Sequence, residues 1–261
     1  MSIKAKKSLG QNFLKSPHIL NDIVVAGGVT ADDTILEIGP GEGSLTAVLL
    51  ATGAKVIAVE KDDRLIPILS DKFPNEIASG KLTLIHDDIL LLEISHLNIG
   101  EYKLIANIPY YITGQIIRNF LESKKQPASI TLLVQKEVAD RIVTRDKKES
   151  LLSLSIKAYG IPTYVRTVGK GAFTPSPSVD SAVIHIKNIS KNRFNGVKEK
   201  DFFDLIHAGF AHKRKQLLPN LSVLYPKEKL LSAFEKTGID IHGRAEDISI
   251  DTWFSLLSNL K

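Results

Sequence analysis

Short apolar, β-branched runs recur along the chain, at Thr34 to Ile38, Lys55 to Glu60, Leu82 to His86, Tyr102 to Ala106 and Ser129 to Gln135. Amphipathic stretches of helical length lie near 44 to 53, 62 to 73 and 114 to 124. That alternation predicts a parallel, doubly wound α/β sheet. A later pair, 163 to 168 and 181 to 187, surrounds Pro175 and Pro177 and follows Pro162; it reads as an antiparallel addition to one sheet edge. A polar linker runs from Asn188 to Gly196, and helical patterns follow at about 199 to 211, 227 to 236 and 251 to 259. The expected organisation is one large domain over residues 1–190 and a small helical domain over 191–261. In the latter, Trp253, Phe254, Leu256 and Leu257 have the spacing of a core-facing helix.

Length and composition agree with this division. A chain of 261 residues with 43% apolar content is globular and exceeds the usual one-domain length. The absence of cysteine excludes disulfides, thiolate metal sites and a cysteine nucleophile. The seven histidines show no metal-ligand spacing, so no metal is expected. Neither a signal-peptide core nor a run of about 18 apolar residues is present, and a soluble, monomeric, cytoplasmic protein is expected. The net charge of +5 divides unevenly: residues 1–20 carry +4, residues 21–186 carry −3, and residues 187–261 carry +4. Basic ends around a slightly acidic middle suit an anionic partner gripped from both sides of a small-molecule site, or else form two solvated basic surfaces.

The first ligand signal is Glu37-Ile38-Gly39-Pro40-Gly41-Glu42-Gly43, directly after the first strand. Gly39 and Gly41 let backbone approach a ligand, and Glu60, at the end of the second strand, suits a ribose diol. Together they indicate an adenosine-type nucleoside. The spacing G-x-G-x-G is not that of a dinucleotide fingerprint, and no Gly-Lys-Ser/Thr follows as a Walker loop requires. Negative charge at Glu37 and Glu42 disfavours a pyrophosphate and favours a cationic ligand such as S-adenosylmethionine. Asp88, after the third strand, is placed to accept the adenine amino group of that cofactor, although an Asp there is also an ordinary helix cap. Gly39, Glu60, Asp88 and Asn107 each follow a successive strand, at the edge where open α/β sheets bind ligands.

Asn107-Ile108-Pro109-Tyr110 has the chemistry to hold an adenine whose exocyclic amine is methylated. The amine lone pair is delocalised into the ring. Acceptors on the amine protons, here the Asn107 amide carbonyl and the Ile108 backbone carbonyl, localise it towards a sulfonium methyl. Pro109 fixes the backbone and Tyr110 offers a stacking face. Unstacking a base costs a few kcal/mol, and aromatic stacking returns about 1 to 3 kcal/mol per base, so flipping needs at least one such face. No strong general base is required, and orientation carries much of the rate. By itself the four-residue motif is also compatible with a plain turn.

Gly10-Gln11-Asn12-Phe13-Leu14, Glu37 to Gly43, Asn107 to Tyr110, Gln135-Lys136-Glu137-Val138 and the segment Phe173 to Val183 resemble, in order, the ribosomal RNA adenine N6,N6-dimethyltransferases. The resemblance spans nearly the whole chain and implies a Rossmann-like methyltransferase sheet with a small C-terminal helical domain. It implies that Asn12 and Leu14 cover bound S-adenosylmethionine, that Gly39, Glu60, Asp88 and Asn107 contact it, and that Tyr110 and Phe173 sandwich the target base. From the residues alone, Asn12 reads as a helix-capping loop residue and Phe173 as a core aromatic.

The branch most similar is the small-subunit enzyme that dimethylates two adjacent adenosines near the 3′ end of 16S ribosomal RNA. Phe173 to Val183 and Phe210-Ala211-His212-Lys213-Arg214-Lys215 carry that likeness. The chain departs from the family at Ala211, where Asn is usual, and at Leu151-Leu152, where Tyr-Gly is frequent. Lys4, Lys6, Lys7, Lys213, Arg214 and Lys215 are the expected phosphate contacts; the plainer reading of the last three is a solvated helix end. The large-subunit, macrolide-resistance methyltransferases and an assembly-checkpoint role on the small subunit remain the alternatives.

Overall fold

The apolar runs pair as strands in the computed structural model, which describes residues 5–6, 9–97, 99–145, 147–212 and 214–261. Strands β1 (Phe13–Leu14), β2 (Thr34–Ile38), β3 (Lys55–Glu60), β4 (Leu82–His86), β5 (Lys103–Asn107), β6 (Ser129–Gln135), β7 (Ile161–Val168), β8 (Phe173–Thr174) and β9 (Ser181–Lys187) form two sheets. The larger has seven strands in the order β4-β3-β2-β5-β6-β9-β7. From β4 to β6 every pairing is parallel, whereas β9 runs antiparallel to both β6 and β7. This is the doubly wound sheet with an antiparallel edge addition that the hydrophobic pattern predicts. Strands β3 and β6 are buried almost throughout, as a sheet covered on both faces requires.

The order of the strands positions the site. The chain adds β3 and β4 on one side of β2 and β5 and β6 on the other, so the topological switch lies between β2 and β5. Ile38 pairs with Ala106, and the residues that follow, Gly39 and Asn107, leave adjacent strands at one level. In space the edge therefore reads Asp88, Glu60, Gly39, Asn107.

Helices α1 (Pro17–Ala26), α2 (Ser44–Ala51), α3 (Leu65–Lys72), α4 (Pro74–Ala78) and α5 (Thr113–Glu122) belong to the same unit. The pattern assigns nothing to 17–26. There Pro17 sits at the first turn, where its missing N–H is harmless, and Ile19, Leu20, Ile23 and Val24 are buried on one face. They share a core with Ile35, Val56, Ile105 and Leu133 of the sheet. The small sheet pairs β1 with β8, Phe13 opposite Thr174 and Leu14 opposite Phe173.

By contacts, Met1–Ala139 and Ile161–Ile189 form one compact unit, and Asp140–Gly160 with Ser190–Lys261 the other. The helical unit thus takes in a segment that a cut at residue 190 would exclude. Helix α6 (Lys136–Ile142) ends within it, and α7 (Leu151–Lys157), α8 (Glu199–Gly209), α9 (Leu217–Leu221), α10 (Lys227–Thr237) and α11 (Ile250–Asn259) complete it. Polar contacts explain the inclusion. Glu149 N–H donates to the Glu246 carbonyl at 2.8 Å, Lys148 pairs with Asp247 at 2.5 Å, and the Tyr159 hydroxyl donates to Glu199 at 2.7 Å. Its core is aromatic: Phe202 stacks on Phe254 at 4.3 Å between centroids, and Trp253 is fully buried, as its spacing predicts. Among the described residues no helix is long and apolar enough to cross a membrane.

Candidate active site

A cavity opens at the switch point, lined by the ends of β2, β3 and β5, the loop after β4 and the segment from Leu9 to Leu14. Gly39 and Gly41 have φ of +63° and +61°, a left-handed conformation that a side chain strains. A Cβ on Gly41 would stand 3.0 Å from the Phe13 ring, whereas among the described residues nothing lies within 4 Å of one on Gly39. Gly41 is therefore small for the fold. Gly39 leaves room in the cavity.

Two carboxylates stand behind this turn. Glu60 is 6% exposed; its oxygens accept from the N–H groups of Gly41 at 3.1 Å and Asp62 at 2.8 Å, so it ties the glycine turn to the end of β3. Burial raises its pKa against those donors. Glu37 is 1% exposed, and among the described residues its Oε2 has no hydrogen-bond partner. Burial, with the nearby Glu60 carboxylate adding, pushes its pKa up to about 8. Glu42 is ion-paired with Lys15. The negative charge expected at Glu37 and Glu42 is tempered: desolvation disfavours ionisation of Glu37, and Lys15 pairs with Glu42. An uncompensated pair of carboxylates does not stand at the glycine turn.

Asp88 accepts from Lys61 Nζ at 2.6 Å and from the Leu90 N–H at 3.0 Å. Burial works to raise its pKa, but Lys61 holds it below the ordinary range. No helix begins at Asp88: its carboxylate closes the turn after β4 and lines the cavity.

Asn107 is the last residue of β5, and its Nδ2 donates to the Asn12 carbonyl at 3.2 Å. The amide is thereby oriented with Oδ1 left as its acceptor. Asn12 in turn donates to the Gly10 carbonyl at 3.2 Å, so Asn12 and Asn107 form one hydrogen-bonded wall. Ile108 is buried, and Pro109, with φ −56° and ψ 134°, starts the 3₁₀ turn Tyr110–Ile112. Tyr110 lines the cavity half-buried, its hydroxyl 2.6 Å from Ser181 Oγ.

Phe173 does not line the cavity. It is 4% exposed in the hydrophobic core, and its strand pairs with β1, Leu14 opposite Phe173. In this structure it is the core aromatic that its residue type alone suggests, and its expected stacking face is covered. Lys6 is paired with Asp62 at 3.2 Å and Asp63 at 3.7 Å. Arg214 and Lys215 are exposed in the helical unit. Lys4, Lys7 and Lys213 lie outside the described residues.

A model of the ribosomal RNA adenine dimethylase family matches residues 2–261. The chain belongs to that family. It is 44% identical to a ribosomal RNA small subunit methyltransferase A of Dehalococcoides mccartyi, with 98% of this chain and 88% of the relative covered. The protein of the same description from Fusobacterium nucleatum is 39% identical over 98% of both chains. Among solved structures, a dimethyladenosine transferase from Plasmodium falciparum has a TM-score of 0.80 at 24% identity, covering 94% of this chain and 95% of that one. The 23S rRNA methyltransferase ErmE has a TM-score of 0.78 at 23% identity, covering 95% and 99%. These two likenesses concern the fold.

In this adenine dimethylase family member, several site contacts escape a reading of motifs. Asp62 is 1% exposed and gathers Lys6, Gln11 at 2.8 Å and Arg64 at 2.6 Å. Those donors, Arg64 foremost, hold its carboxyl well below the usual range. The cluster latches the segment before Asn12 to the end of β3. Ser181 stands inside a motif, yet only its hydrogen bond to Tyr110 gives it a part in the site. Its signal is topological: the first residue of an antiparallel strand lies level with the last residues of its parallel neighbours, here Gln135.

Proposed function

We propose that this methyltransferase dimethylates the N6 amines of two adjacent adenosines near the 3′ end of 16S ribosomal RNA, with S-adenosylmethionine as methyl donor, during small-subunit maturation. The observation that carries the chemistry is the Asn107 amide, held by the Asn12 carbonyl with Oδ1 left as acceptor at the switch point. The 44% and 39% identical relatives carry the small-subunit description, which supports that substrate over large-subunit RNA.

The cavity suits the donor. Open space over Gly39, the unpaired Glu37 Oε2 and the Glu60 carboxylate fit an amino-acid and ribose moiety, Asp88 fits an adenine amine, and Asn12 and Leu14 lie over the cavity. When bound, the cofactor supplies an electrophilic methyl group. Asn107 Oδ1 and the Ile108 carbonyl accept the two amine protons of the target, which localises the nitrogen lone pair along the line of attack. Tyr110 stacks on the base and offsets its unstacking. As the new N–C bond forms and the C–S bond breaks, the amine nitrogen becomes acidic and loses a proton to water. One N–H then remains, so Asn107 and Ile108 cannot both be engaged, and the monomethylated amine must turn before the second transfer. Phe173 supports the strand over the cavity rather than the base. The unit built from residues up to 139 and 161–189 is the catalytic part, and the helical unit with Arg214 and Lys215 is the RNA-holding part. The protein acts as a monomer in the cytoplasm.

The test supplies purified protein with labelled S-adenosylmethionine and immature small subunits. Label must enter N6,N6-dimethyladenosine of 16S RNA and Asn107→Ala must nearly abolish it. Equal transfer by the mutant would overturn the mechanism, and transfer only to large-subunit RNA would overturn the substrate.

A further inference from the structure

Tyr111 is the one aromatic side chain among the described residues that is exposed, at 68%, and it stands on the rim of the active-site cavity. Its neighbour Tyr110 lines the cavity wall half-buried with its hydroxyl on Ser181. Both belong to the three-residue 3₁₀ turn Tyr110–Ile112. With about three residues per turn, successive side chains of such a turn diverge by about a third of a revolution. One ring therefore faces inward and the next outward.

The outer ring has a built seat. A Cβ on Gly10 would stand 3.2 Å from Tyr111 Cε1 and 3.2 Å from Pro109 Cβ, and Gly10 has φ of +61°. The glycine lets the segment before Asn12 close against one edge of the ring, and the ring still keeps 68% of its surface in solvent. Among the described residues, three cations around the same mouth are matched by acids: Lys6 by Asp62, Lys15 by Glu42 and Lys61 by Asp88. A nucleic acid arriving there meets an open aromatic face.

We infer that Tyr111 is a second stacking platform, which takes the RNA base adjacent to the adenine held against Tyr110. The inference rests on the proposed function, since it assumes a single-stranded RNA at the cavity mouth. Stacking accepts any base, because every base has a π face. Tyr111 would thus set how the strand enters without reading its sequence. For a target of two adjacent adenosines, the adenosine not in the pocket waits on this ring.

Binding of immature small subunits lacking dimethyladenosine is measured across a salt series, with S-adenosylhomocysteine saturating. Tyr111→Ala is expected to weaken binding about 5- to 150-fold, the loss of one stacked base. The slope of log affinity against log salt stays unchanged, because no phosphate contact is lost. Tyr111→Phe binds within about twofold of the parent, and S-adenosylhomocysteine affinity is the same in all three proteins. Parental binding by Tyr111→Ala would overturn the inference. So would a changed salt slope, an equal loss in Tyr111→Phe, or a parallel loss of S-adenosylhomocysteine affinity, which would make the residue a phosphate contact or a structural one. Failure of the parent protein to methylate the subunits would instead overturn the proposed function, and the inference with it.

Discussion

The Tyr110 hydroxyl and Ser181 Oγ lie 2.6 Å apart, and Ser181 is fully buried at the start of β9. The antiparallel strand thus steadies the aromatic ring that lines the cavity. A neutral hydrogen bond of this kind contributes about 0.5 to 1.5 kcal/mol. Ser181→Ala is therefore expected to lower kcat/KM for RNA by up to about tenfold while S-adenosylhomocysteine affinity is unchanged. Tyr110→Phe should cost a similar factor and the double mutant little more. Fully additive losses in a kinetic double-mutant cycle would refute the coupling.

Glu37 makes stability depend on pH in a definite direction. Its pKa rises from an ordinary 4.5 to about 8 through burial, so between those values the folded state holds a proton that the unfolded state has released. Its contribution is fully present below pH 4.5, falls as pH rises, and is lost through pH 8. Denaturant melts at pH 5 and pH 8 should show Glu37→Gln losing less stability than the parent over that interval, by on the order of a few kcal/mol. An identical pH dependence in the two proteins would contradict this assignment.

The two glycines of the turn should fail differently. Gly41→Ala meets both a left-handed backbone and the Phe13 ring at 3.0 Å, and should cost about 2 kcal/mol or more of stability. Gly39→Ala meets only the backbone term, about 1 kcal/mol, but its Cβ enters the cavity. Thermal melts should rank Gly41→Ala as the less stable, and calorimetric titration should show cofactor binding lost in Gly39→Ala although it is folded.

Removing the carboxylate at Asp62 should loosen the segment before Asn12. Asp62→Ala leaves Lys6, Gln11 and Arg64 without their common acceptor. Limited proteolysis should then cleave within the first dozen residues faster, and cofactor affinity should fall while the sheet melts nearly as before. Unchanged cleavage would mean that β1 alone secures the segment.

Much of this was legible in the chain. Strands apolar on both faces, spaced by helical stretches, are recognisable because parallel sheets bury both faces. The order Gly39, Glu60, Asp88, Asn107 follows from the rule that ligands gather outside the carboxyl ends of such strands. Short elements such as β1 and β8 were not legible, since two residues carry no period.

The amino-acid sequence by itself determined the fold class, the glycine turn, the residue types of the site and the family, because periodicity and local motifs are properties of neighbours in the chain. Tertiary structure alone decided which of those residues face the cavity and in what state. Burial raises the pKa of Glu37, Phe173 is enclosed in the core, Asp62 gathers three donors, and Ser181 meets Tyr110 from a strand 71 positions away. Each of these depends on solvent exclusion or on contacts between distant segments, which exist only once the chain has folded.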